Sequence, residues 1–279
     1  MRPSPDFASE PRSFWAHVKM VSEGLGYSIR ARNGTVRALR RYTIEEIEGQ
    51  LKSLNLTTGH ITSGGKVTPF GTKLVGYLNL RAEVLERQVQ PMLMDREQAR
   101  TEFERLRKEC SPKCPLPMNK QKGDKRHEAF LAGIVNMLTE QALGGRTFNG
   151  DPRGLTVVTR DQVPLRTLSR WMDGAYPDVV DPLAVWEVKE YYGTTTFGSR
   201  VADGVYETML DGFELAELHE HERRKVLHYL IVDDRYTWWD CGRSYLCRIV
   251  DMLHMGLVDE ALFGREVLTR WPEIVRSWA

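Results

Sequence analysis

Residues 176–192, YPDVVDPLAVWEVKEYY, constrain the fold more than any other stretch. The run 183–192 is apolar, β-branched and aromatic and follows the turn pair Asp181-Pro182, so it reads as a strand. Side chains alternate faces along a strand. Val185, Glu187 and Lys189 therefore share one face, and Ala184, Trp186 and Val188 share the other. A carboxylate and an ammonium inside an apolar strand are costly to bury unless they pair or hold a metal ion. The chain must build a sheet around this strand and find a use, or a partner, for its two charges.

The surrounding pattern alternates helix and strand, which predicts an α/β (α+β) class. A helix is expected over 125–143, with Phe130, Leu131, Ile134, Val135 and Leu138 inward. Strands are expected at 155–159, 175–180 and 183–192, a helix at 200–222 and a strand at 226–232. The remainder, 244–278, reads as mostly helical. Asp178, at the end of the preceding strand segment, is expected to approach Glu187 across a hairpin. Asp181 is its rival, although Pro182 favours a turn role.

Two carboxylates and a lysine suit phosphodiester hydrolysis. Mg²⁺ takes one or two carboxylates, keeps several waters and accepts phosphate oxygens. A lysine beside it can orient or deprotonate the attacking water and stabilise charge on phosphorus oxygens. At these residues the sequence resembles the PD-(D/E)xK nuclease superfamily: Pro177-Asp178, eight residues, then Glu187-Val188-Lys189. The resemblance covers roughly residues 120–235 and implies a restriction-endonuclease-like αβββαβ core, the same order as the elements read above. It implies Asp178 and Glu187 as Mg²⁺ ligands, Lys189 as the residue acting on water, and Glu128, on the first core helix, as an assistant. It also places the segment after Lys189 near the DNA backbone, where Thr194, Thr195, Thr196, Ser199 and Arg200 could donate to phosphates. An ordinary polar loop ending in a helix cap at Ser199 is the competing reading, as is a Glu–Lys pair without chemistry for the strand itself.

The first half is of a different kind. Residues 1–125 carry 22 Lys+Arg and 14 Asp+Glu, a net of +8, whereas the rest carries a net of −7 within a total of +1. A basic half suggests a polyanion partner. Thr43 and Glu46 form a capping box before Ile44, Ile47, Leu51 and Leu54, HITSGGKV suggests a hairpin, and Thr68-Pro69 opens a long helix over 70–94. This looks like a winged helix, with Arg40, Arg41, Lys52, Lys66 and Lys73 as candidate DNA contacts. A recognition helix is hard to find at 55–60, and a helical dimerisation or scaffold domain is the alternative. The expected organisation is a loose leader over 1–12, a DNA-binding domain over 13–110, a Pro/Lys-rich linker over 111–124 and a nuclease domain over 125–279.

Other signals exclude more than they suggest. No apolar run is long enough to span a membrane, and residues 1–15 lack the apolar core of a secretory signal. Four cysteines are too few for a disulfide scaffold and are wrongly spaced for a usual zinc site, which fits a cytoplasmic protein. His219-Glu220-His221-Glu222 reads as a solvated helix end, Trp238-Trp239 as core, and Asp233-Asp234 as a strand closure or a neighbour of the metal. No phosphate-binding glycine motif is present. The expectation is a Mg²⁺-dependent endonuclease on double-stranded DNA. The resemblance narrows this to a type II restriction enzyme acting as a homodimer, with a separately encoded methyltransferase. A non-catalytic winged-helix DNA-binding regulator and a structure-specific repair or resolvase nuclease are the alternatives.

Overall fold

The computed structural model describes residues 1–30, 36–118, 128–192 and 199–278. The first half begins with α1 (Arg12–Leu25), whose buried stripe is Phe14, Trp15, Val18 and Val21. A small antiparallel pair follows, β1 (Ser28–Arg30) and β2 (Val36–Leu39). The expected capping box is formed: Thr43 accepts from the Glu46 amide and Glu46 accepts from the Thr43 amide, starting α2 (Ile44–Ser53). The Gly-Gly turn closes the expected hairpin, β3 (Thr62–Ser63) with β4 (Lys66–Val67). Thr68 then caps α3 (Pro69–Val84), which continues through a widened turn over Leu85–Val89. Residues 54–61, between α2 and β3, are turns rather than helix, so this half has no recognition helix at that point.

Two expectations about chain organisation change. The leader is tied down rather than loose. Phe7 is buried against Tyr77, the Ser4 amide donates to His254 Nε2, and Met1 exchanges backbone hydrogen bonds with Ala261. Helix α4 (Arg96–Cys110), which precedes residues 111–124, buries Phe103 and Leu106 in the core of the second half.

That core is built on a four-stranded sheet. Helix α5 (Phe130–Leu143) comes first, then a separate antiparallel hairpin of β5 (Val157–Arg160) and β6 (Val163–Thr167). β7 (Gly174–Tyr176) pairs antiparallel with β8 (Ala184–Glu190). The chain continues through α6 (Ser199–Glu222) to β9 (Leu227–Asp233), which lies parallel to β8. After α7 (Arg243–His254), β10 (Glu260–Phe263) adds in parallel to β9, and α8 (Glu266–Arg276) follows. The sheet order is β10-β9-β8-β7. Trp186, Tyr229 and Ile231 face α5 and α8, against Ile134, Trp271 and Ile274. Leu230 and Val232 face α6 and α7, against Val205 and Ile249. Covering both faces explains why β8 and β9 read as continuous apolar runs.

The halves are joined by a buried ion pair. Arg81 on α3 is 2% exposed and donates to both Asp251 oxygens on α7 at 3.0 and 2.8 Å. Tyr77 donates to the same carboxylate at 2.7 Å. Among the described residues no helix is long and apolar enough to cross a membrane.

Candidate active site

β7 begins at Gly174, opposite Trp186. Beyond that point no strand among the described residues pairs with β8 on this side, and a cleft of about 400 Å³ opens along Val188–Tyr191. The start of α5, Asp173, Arg200, Asp203 and Glu207 complete its wall. Glu187 and Lys189 share the α6-facing side of β8, as the alternation predicts, and are ion-paired. Helix α6 comes close here because residue 204 is glycine: a β-carbon there would stand 2.7 Å from the Tyr191 hydroxyl and 3.4 Å from Lys189 Cδ.

The carboxylate opposite Glu187 is Asp173, not Asp178. The antiparallel register pairs Gly174 with Trp186, and one step further sets Asp173 beside Glu187. The Asp173 amide donates to the Trp186 carbonyl at 3.1 Å, and its carboxylate accepts from the Val188 amide at 2.9 Å. Asp178 lies past the other end of β7, exposed, where it accepts from Asn149 Nδ2 and the Val179 amide at 2.7 Å each. These two bonds hold its pKa below the usual aspartate value. Asp181 has the turn role: with a positive φ of 51°, it accepts from the Thr159 amide at 2.7 Å.

Glu128 also leaves the site. It precedes α5 and pairs with Arg107 of α4 at 3.0 Å. Its place at the start of α5 is taken by Glu190, which accepts from the Leu131 amide at 2.6 Å. Behind Glu187 stands Arg170, which pairs with Asp211 at 2.8 Å, Glu207 at 2.9 Å and Glu187 at 3.7 Å. No motif marks Arg170 or Asp173; counting equal distances from the 177–183 turn sets Asp173 opposite Glu187.

The charges do not balance internally. Among the described residues, Asp173, Glu187, Glu207 and Asp211 cluster around Arg170 and Lys189, with Arg200 also in the cleft wall. Burial pushes Glu187 up to about 7 against the pull of Lys189, with Asp173 adding to the rise. Burial likewise lifts Asp211 to about 6. Burial works to lower Lys189, but Glu187 and Asp173 outweigh it and keep the ammonium protonated. Glu187 Oε1 and Asp211 Oδ1 are buried without a hydrogen-bond partner. Among the described residues no group of three or more His, Cys, Asp or Glu forms a ready metal cage.

The basic candidates of the first half are dispersed. Arg40 is half-buried on Glu46, Arg41 pairs with Glu86, Lys52 with Glu48 and Lys73 with Glu10. Lys66 stands exposed on the β4 turn. Ser199 and Arg200 open α6, and Arg200 lines the cleft. Thr194, Thr195 and Thr196 lie outside the described residues. Asp233 and Asp234 close β9 by accepting backbone amides of Met94 and Thr237, and Trp238 and Trp239 are core. All four cysteines are free.

A family model described as Domain of unknown function (DUF7687) matches residues 94–278. The chain belongs to this family. A second model, Domain of unknown function (DUF7690), matches residues 1–88. The two meet between 88 and 94, ahead of α4, in agreement with the packing of α4 on α5. No curated protein and no solved structure matches the chain.

The buried carboxylates carry a pH signature. Folded pKa values near 7 for Glu187 and Asp233 and near 8 for Glu190 stand above their unfolded values. The folded chain therefore holds protons that the unfolded chain releases, and stability falls as pH rises through these values. His228, pushed by burial down to about 4, has the opposite slope, confined below its unfolded value of 6.5. Urea unfolding in EDTA should thus show a loss on the order of 3 kcal/mol between about pH 6.5 and 8.5. A flat or rising profile there would mean these carboxylates ionise freely in the fold.

Proposed function

We propose that this chain is a Mg²⁺-dependent endonuclease that hydrolyses DNA phosphodiester bonds in the cleft beside β8. The observation that carries the reading is the juxtaposition of Asp173, Glu187 and Lys189 where the β7 pairing of β8 ends and the cleft begins. The residues fit the ion. Glu187 Oε1 accepts no hydrogen bond, with Arg170 at 3.7 Å, and carboxylates outnumber cations around the cleft, an excess that a divalent ion would offset. Asp173 and Glu187 would hold it, and bound Mg²⁺ would polarise the phosphoryl group and lower the pKa of a bound water.

The chain's own groups do the rest. Lys189 stays protonated, so it orients the attacking water and stabilises the developing phosphorane charge rather than removing a proton. Arg170 holds Glu187 and Asp211 in place from behind. Arg200, at the rim, is available to a neighbouring phosphate. A homodimer acting on a duplex site, with a companion methyltransferase, is one form of this reading; a structure-specific nuclease is the other.

The test is incubation of purified protein with unmethylated linear, single-stranded and branched DNA, with Mg²⁺ or with EDTA. Cleavage that requires Mg²⁺ supports the reading, and its substrate pattern chooses between the two forms. Intact DNA of every kind in Mg²⁺ would overturn it.

A further inference from the structure

The chain has seven tryptophans. Six are buried at 8% exposure or less, and only Trp171 is open, at 53%. It stands in the segment that carries two residues of the candidate site, between Arg170 and Asp173. Its neighbours are all fixed. Leu168 and Met172 are buried. The Ser169 amide and hydroxyl donate to Glu214 at 3.0 and 2.6 Å. Arg170 is held by Asp211 and Glu207, and Asp173 by Trp186 and Val188.

With both flanks held in this way, the Trp171 ring is left outside the core. A packed indole buries about 150–250 Å², and this fold forgoes much of that gain at one position. The position is two residues from Asp173, which bounds the Cα separation at about 7 Å, a reach of one nucleotide. Stacking on an indole suits any base because every base has a π-face, but the face must first be free of its neighbours in the helix.

We infer that Trp171 is a stacking platform for the base beside the scissile phosphate. The substrate is then DNA in which that base is unpaired, either single-stranded or locally opened. The position of the scissile phosphate rests on the nuclease reading above; the stacking itself does not.

The two are separated by measuring binding in EDTA, where cleavage is blocked. Short oligo(dT) and a blunt duplex are titrated into the full chain while tryptophan fluorescence and affinity are followed. Oligo(dT) should quench the wild type and bind more tightly than duplex. Trp171→Ala should remove the quenching and weaken binding about 5- to 100-fold, whereas Trp171→Phe should keep most of the affinity. Absence of wild-type binding, binding without quenching, or equal affinity for Trp171→Ala would overturn the inference. A parallel digest in Mg²⁺ reads the other claim. Quenching without cleavage sinks the nuclease reading and leaves the platform, and cleavage with no effect of Trp171→Ala does the reverse.

Discussion

Asp173→Asn is expected to lower Mg²⁺-dependent DNA cleavage by at least about 100-fold, while Asp178→Asn leaves it near wild type. Asparagine keeps a carbonyl oxygen for the Val188 amide, so the hairpin edge persists and only the charge is lost. Asp178 makes its bonds to Asn149 and Val179 at the far end of β7, where its charge serves no shared site. Lys189→Ala should cost about 10²–10⁴-fold. Circular dichroism of each variant checks folding, and single-turnover digestion checks rate. If Asp178→Asn is the damaging change and Asp173→Asn is silent, the carboxylate pairing drawn from the β7–β8 register is wrong.

The second large effect is on stability. Asp251→Ala should destabilise the protein by about 3–5 kcal/mol, read from urea unfolding. The change leaves Arg81 buried with its charge unanswered and takes the acceptor from Tyr77. Ser22 Oγ, 3.0 Å from the guanidinium, offers one hydrogen bond but no charge. Replacing both members, as Arg81→Met with Asp251→Leu, should recover much of the loss, because the penalty lies in the orphaned ion. A loss below about 1 kcal/mol for Asp251→Ala would mean water reaches Arg81 and the halves are not locked there.

The parts of this architecture legible in the sequence are those fixed by local chemistry. The Thr43–Glu46 box, the Gly64-Gly65 turn and the Thr68-Pro69 helix start all form where expected. Glu187 and Lys189 share a face because strand alternation is a local rule. What failed depended on distance. Asp178 drew attention through its neighbour Pro177, but which residue opposes Glu187 is set by register, and the register selects Asp173. Glu128 seemed to belong to α5, yet the helix begins at Phe130 and Arg107 of α4 draws the carboxylate away. β6 and β10 leave no alternating signal in the sequence, because one is largely exposed on both faces and the other buried on both. The basic first half looked like a DNA grip, but Glu46, Glu86, Glu48 and Glu10 answer four of its five candidate cations.

The Arg81–Asp251 pair also imposes an order of events during synthesis. Helices α1 to α3 can pack on Phe14, Leu74 and Tyr77 as soon as they leave the ribosome. Asp251 emerges roughly 10–30 s later at ordinary elongation rates. For that interval Arg81 of the nascent first half has Ser22 and Tyr42 as hydrogen-bond partners but lacks the carboxylate of Asp251. The arrival of α7 ends the wait, so the last third of translation completes the first third of the fold.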